Sequence, residues 1–150
     1  MTTTLPSIAI IGAGAMGGAI LTGLLAPGVT VSGGIRVTNR TEAKAALVRH
    51  PEVESFAIEQ TPNANALAVA GAGVVLIGVK PAMVPDTLTA LAAALEPDAL
   101  VISVAAGVTT ATMESLIGNA VLRAMPNTPA IVGRAVTGLA AGARATAEQV

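Results

Sequence analysis

The run Ile8-Ala9-Ile10-Ile11-Gly12-Ala13-Gly14-Ala15-Met16-Gly17 is a β-branched segment that ends in G-x-G-x-x-G, and an apolar helical pattern (Ala19, Ile20, Leu24) follows at once. Strand, glycine turn and helix in that order form the phosphate seat of a doubly wound α/β domain that binds a dinucleotide. Each glycine has its own reason. Gly12 permits the tight turn, Gly14 lets backbone approach a pyrophosphate with no Cβ between, and Gly17 lets helix and strand pack closely. The pyrophosphate then sits at the helix N-terminus, where unpaired N–H groups and the positive dipole end favour an anion.

On either side of this run, strands and helices alternate along the chain. A first strand over 7–11 and a helix over 15–25 precede Pro27 to Gly34, which reads as a loop with turn chemistry. Ile35–Thr38 forms a second strand, and Thr41 caps a helix running to about Arg49, which Pro51 closes. A weak third strand falls near Ser55–Ile58, followed by Asn63 and a short alanine-rich helix. The unbroken apolar run Val74–Val79 marks a strand buried on both faces. Pro81 stops it, and Val84, Leu88, Leu91, Ala92 and Leu95 trace one face of the next helix. Leu100–Val104 is a fifth strand, Thr110–Leu116 a short helix, Ala120–Ala124 a sixth strand and Val136–Ala140 a seventh. This alternation predicts a Rossmann-type, mainly parallel sheet with helices on both faces.

Composition bounds the function. The 150 residues are 53% hydrophobic and 11% charged, which suits one packed domain and excludes a disordered chain. One Phe, with no Tyr or Trp, leaves no aromatic platform for stacking bases, and a net charge of −1 offers no basic face to a polyanion. Nucleic acid is therefore not the expected partner. Zero cysteines exclude disulfides, thiolate metal sites and a cysteine nucleophile, and fit a reducing compartment. The single His50 precedes Pro51 at an expected helix end, so no metal site is expected. Residues 8–26 carry no charge and include Gly14-x-x-x-Gly18, a pattern that membrane spans also use. No Lys or Arg precedes them, no aromatic belt borders them and glycines fill their middle, so a soluble, cytoplasmic protein with no membrane partner is the expectation.

The coenzyme can be read from the second strand end. An NAD site places an acid there, about 20 residues after the glycine turn, to accept from the ribose 2′-OH. This chain has Asn39-Arg40-Thr41 instead. A guanidinium grips phosphate, and Thr41 at a helix start adds a hydroxyl and free backbone N–H groups, so NADP is favoured over NAD. The plainer reading is an ordinary turn with a helix cap. Three further strand ends carry unusual loops: Gly78-Val79-Lys80-Pro81, Ser103-Val104-Ala105-Ala106-Gly107, whose small residues would let a flat ring lie on backbone, and Ala124-Met125-Pro126-Asn127-Thr128-Pro129, held rigid by its prolines. Each has a bland alternative: Lys80 as a solvated charge, Ala105-Ala106-Gly107 as a turn, Asn127 as a loop cap. All three, however, fall on the edge that holds the glycine turn, where ligands of open α/β sheets bind.

These loops also carry a resemblance. Ile11 to Gly17, Val37-Thr38-Asn39-Arg40, Val79-Lys80-Pro81, Ser103 to Gly107 and Arg123-Ala124-Met125-Pro126-Asn127-Thr128-Pro129-Ala130 occur in the order and spacing of the pyrroline-5-carboxylate reductase family, which the chain resembles over nearly its whole length. The resemblance implies reduction of the ring imine of 1-pyrroline-5-carboxylate to L-proline with NADPH or NADH. It implies coenzyme contacts at Ile11, Gly12, Ala13, Gly14, Ala15 and Met16 (pyrophosphate) and at Asn39 and Arg40 (2′ position). Further contacts are implied at Asn65, at Gly78 to Pro81 and, near the nicotinamide, at Val104, Ala105 and Ala106. The loop Met125, Pro126, Asn127 would wall the substrate side, and no general acid or base can be assigned. It also implies a second, all-helical domain that builds the homo-oligomer and most of the substrate pocket. Thr146-Ala147-Glu148-Gln149 has capping-box spacing with only Val150 behind it, either a frayed polar tail or the start of a helix. The resemblance favours the latter: a coenzyme domain over 1–143, with 144–150 opening a helical domain not contained in this chain. By itself the chain is then expected to bind NADP(H) weakly and to lack appreciable reductase activity. Another two-domain reductase, acting on a 3-hydroxy acid or on prephenate, and a non-catalytic NADPH sensor are the rival readings.

Overall fold

The apolar runs become strands of one sheet in the computed structural model, which describes residues 2–126 and 137–150. In chain order the elements are β1 (Thr3–Leu5), β2 (Ile8–Ile11), α1 (Ala15–Leu24), β3 (Val29–Val31), β4 (Ile35–Asn39), α2 (Glu42–Leu47), β5 (Val53–Ala57), α3 (Ala64–Val69) and β6 (Val74–Ile77). A 3-10 turn (Pro81–Met83), α4 (Val84–Leu91), β7 (Leu100–Ser103), α5 (Thr110–Leu116), β8 (Val121–Pro126) and β9 (Thr137–Ala141) complete them. The main sheet runs β5-β4-β2-β6-β7-β8-β9. Its pairs are parallel except β8 with β9. The chain leaves β2 for β4 and β5 on one side, then crosses back to β6 on the other. The order therefore reverses between β2 and β6, the switch point at which open α/β sheets leave a crevice.

Both faces are covered, as the unbroken apolar runs predict. Ile8 and Ile10 point into one core with Leu21 of α1, Ile35 and Val37. Ala9 and Ile11 point into the other with Val75, Ile77, Leu88, Leu91, Met113 and Val121. The division follows from the two-residue period of a strand. Leu88 and Leu91 are fully buried on α4, and truncating either to alanine would cost about 2–5 kcal/mol.

The structure differs from the sequence reading in places. Pro27 to Gly34 is not a plain loop: Val29–Val31 pairs in parallel with Thr3–Leu5 as a separate two-stranded sheet. Three half-exposed residues are too few to show a period, although their β-branched character is the local signal. The uncharged run 8–26 divides into a four-residue strand and a ten-residue helix. Among the described residues no helix is long and apolar enough to cross a membrane. β8 reaches Pro126, two residues past the expected end, because β9 pairs with it (Met125 with Gly138, Pro126 with Thr137). The expected seventh strand is present over Thr137–Ala141; its first expected residue, Val136, lies outside the described residues.

Candidate functional site

Parallel register brings the carboxyl ends of the central strands level. Ile11 pairs with Thr38 on one side and Ile77 on the other, and Ile77 pairs with Ser103. The ladder continues one step further. Gly12 N–H donates to the Thr38 carbonyl (3.0 Å), Gly78 N–H to Ile11 (2.8 Å) and Val104 N–H to Ile77 (3.1 Å). Ile11–Met16, Asn39–Thr41, Gly78–Pro81 and Val104–Ala106 thus share one edge of the sheet, with the switch point between β2 and β6 in their midst. Met125 extends from β8 on the same edge and is 38% exposed.

Three glycines of the turn play different parts. Gly12 has φ +83°, and a Cβ there would lie 2.9 Å from Val79 Cγ1. Gly17 is buried in α1, where a Cβ would sit 2.9 Å from the Gly12 carbonyl oxygen, so it permits helix and strand to touch. Gly14 is the exception. It is exposed, and a Cβ there would meet nothing within 4 Å. It is also the N-cap of α1 without any side-chain cap, in a first turn that contains no acid. Packing gives no reason for glycine at this position; its N-cap place, where glycine is favoured over alanine, gives one, and the backbone is left open on that side. Gly78, selected from its place at a strand end, has a packing role the sequence reading missed. A Cβ on it would collide with the Gly12 carbonyl oxygen. A glycine straight after Val74–Ile77 was the available signal.

The corner after β4 is more mixed than the sequence implies. Asn39 is buried, and its Nδ2 has no hydrogen-bond partner. Arg40 is exposed. Thr41 caps α2, its Oγ1 accepting from Lys44 N–H at 3.3 Å. The backbone N–H groups expected to be free here are partly taken: Glu42 N–H donates to Glu59 Oε1 at 2.6 Å. Asn65 lies in the first turn of α3 with its Oδ1 buried and unpartnered.

Lys80 is exposed and leads into the 3-10 turn that Pro81 begins. In the loop after β7, Ala105 is buried and Ala106 exposed, and fully buried Ser103 turns its Oγ back to accept Ala105 N–H at 3.2 Å. Ser103 therefore shapes this loop, a role legible only from its position directly before Val104-Ala105-Ala106. Pro126 closes β8, and Asn127 lies outside the described residues. His50 is exposed, its Nδ1 accepting from Glu52 N–H. A broad concavity of about 720 Å³ opens at the other end of the sheet, between Val29–Val31 and Pro51–Glu54. It gathers the amino ends of β4 and β5, remote from the glycine turn.

A reversed strand order with a glycine turn at the switch point defines the chain as a dinucleotide-binding domain of the doubly wound class. Residues 7–107 match the family described as NADP oxidoreductase, coenzyme F420-dependent, and the chain belongs to that family. It is 40% identical over 146 residues to pyrroline-5-carboxylate reductase of Pseudomonas aeruginosa, covering 96% of this chain and 51% of that protein. Against the enzyme of the same name from Escherichia coli it is 36% identical over 143 residues, covering 94% and 51%. Among solved structures, a pyrroline-5-carboxylate reductase from Coxiella burnetii superposes with a TM-score of 0.80 at 33% identity, covering 95% of this chain and 52% of that one. The chain spans about half the length of the curated relatives it matches.

Proposed function

We propose that this chain is the coenzyme-binding part of an NAD(P)H-dependent reductase that converts 1-pyrroline-5-carboxylate to L-proline. The observation that carries this reading is 40% identity, over nearly the whole chain, to an enzyme named for that activity. The geometry supports the coenzyme half of it. Gly14 leaves an open seat at an acid-free helix start, and Asn39 holds an orphaned amide donor at the next strand end. In this reading Ile11–Met16 hold the pyrophosphate, Asn39, Arg40 and Thr41 meet the adenosine ribose and its 2′-phosphate, and Asn65 is a further coenzyme contact. Gly78–Pro81 and Val104–Ala106 bound the nicotinamide end. Met125, Pro126 and Asn127 form one wall of the substrate side.

The chemistry asks little of side chains. A protonated ring imine is already electrophilic, and the bound coenzyme supplies hydride to its carbon, leaving the amine of proline. The task left to the protein is to hold the two carbons in near-attack geometry and to keep water out. No residue of this chain is assigned as acid or base. Recognition of the substrate carboxylate, and assembly into a homo-oligomer, fall to a helical domain beyond the coenzyme domain of 1–143. Reciprocal bonds between Thr146 and Gln149 (N–H to Oε1 at 2.9 Å, N–H to Oγ1 at 3.3 Å) support a helix opening over 144–150. The enzyme would work in the cytoplasm.

NADPH titration of the chain, followed by assay of the complete gene product with pyrroline-5-carboxylate, tests the reading. Weak coenzyme binding by the chain alone, with turnover only by the complete product, is expected. A complete product that binds NADPH but leaves pyrroline-5-carboxylate untouched would refute the substrate. Turnover by the chain alone near that of the complete product would refute the division of labour.

A further inference from the structure

We propose that Glu59 sets the coenzyme preference, its carboxylate standing at the ribose corner and opposing a 2′-phosphate. The inference rests on the coenzyme-binding reading above. Glu59 follows β5, and the backbone there is tied to the corner: Ile58 N–H donates to the Asn39 carbonyl at 2.9 Å and Glu59 N–H to the Arg40 carbonyl at 3.2 Å. Its side chain turns back so that Oε1 accepts Glu42 N–H at 2.6 Å. A formal negative charge is thereby fixed at the corner that carries Asn39, Arg40 and Thr41. The other acid at this corner, Glu42, is paired with Arg49 across α2. Arg40 and Glu59 thus oppose each other in sign at one place, one attracting a phosphoryl group and the other repelling it. An NAD site proper would use an acid to accept from the ribose hydroxyls, and Glu59 supplies an acid from a different strand than the fingerprint position. The corner is therefore built for a moderate preference in which both coenzymes are admitted.

The test is calorimetric titration of the protein, its Glu59→Gln variant and its Glu59→Ala variant with NADPH and with NADH. Glutamine keeps an oxygen for Glu42 N–H and removes only the charge; alanine removes both. Both variants should raise the affinity ratio of NADPH over NADH about three- to tenfold at low salt. The gain should shrink as salt rises from about 0.01 to about 1 M, where the screening length falls from about 30 to about 3 Å. An unchanged ratio in Glu59→Gln, or a gain that salt leaves intact, overturns the role of the charge while the coenzyme reading stands. If the unaltered protein and its complete gene product bind neither coenzyme, both fall together.

Discussion

Gly78 stands so close to Gly12 that a single Cβ on it would run into the Gly12 carbonyl oxygen. The loop after β6 and the turn after β2 are therefore one packed unit straddling the switch point, and neither can shift without the other. Gly78→Ala should destabilise the fold by at least about 2 kcal/mol, since backbone rather than a flexible side chain must yield. Coenzyme affinity should fall with it. Urea denaturation and calorimetry check the two effects; an unchanged midpoint would show that the unit is slack.

Gly14 should behave in the opposite way. Its φ of −74° and ψ of −155° suit an L-residue, and the space beyond it is open. Gly14→Ala should cost no more than about 1 kcal/mol, the difference between glycine and alanine at an N-cap, and lower NADPH affinity at least about tenfold, because the methyl would enter the proposed pyrophosphate seat. Stability and binding move together in Gly78→Ala and come apart in Gly14→Ala.

Arg40 is exposed at the corner after β4. Arg40→Ala should weaken NADPH about five- to tenfold at low salt and NADH by less than about twofold, with little effect on folding. Parallel titrations with both coenzymes measure this. Equal losses would mean that Arg40 contacts a part that the coenzymes share.

Past β9 the chain is clipped to α5. The Glu114 carboxylate accepts Ala143 and Arg144 N–H, each at 3.1 Å, while Arg144 Nη1 donates to the carbonyls of Glu114 (2.9 Å) and Ile117 (3.0 Å). Arg144 caps the carboxyl end of α5, and Gly142 leaves room for the Glu114 side chain. Glu114→Ala should cost about 1–2 kcal/mol and lower the thermal midpoint by a few degrees, with Glu114→Gln milder because one oxygen remains to accept. Scanning calorimetry of the three proteins reads the order directly.

Much of this architecture was legible in the residues. Long apolar runs such as Val74–Ile77 announce buried parallel strands, and G-x-G-x-x-G after Ile8–Ile11 marks the crevice where the order reverses. Thr41 caps the helix it precedes, because a hydroxyl at that position satisfies an orphan N–H that sequence spacing already identifies. The rest depended on neighbours distant along the chain. Val29–Val31 becomes a strand only through Thr3–Leu5, and the glycine after Val74–Ile77 signals a close approach without identifying Gly12 as the neighbour. The contact of Glu59 with Glu42 was invisible for the same reason: the register of β4 with β5, not the loop sequence, brings the two together.

The glycine turn at the switch point is proposed to seat the coenzyme, and mapping backbone amide resonances during NADPH titration examines that seat residue by residue. The largest shifts should gather at Gly12 to Met16, Gly78 and Val79, and Val104 to Ala106, with Arg40 and Thr41 responding to NADPH more than to NADH. Shifts centred instead on the concavity between Val29–Val31 and Pro51–Glu54, or none at all at saturating coenzyme, would contradict it.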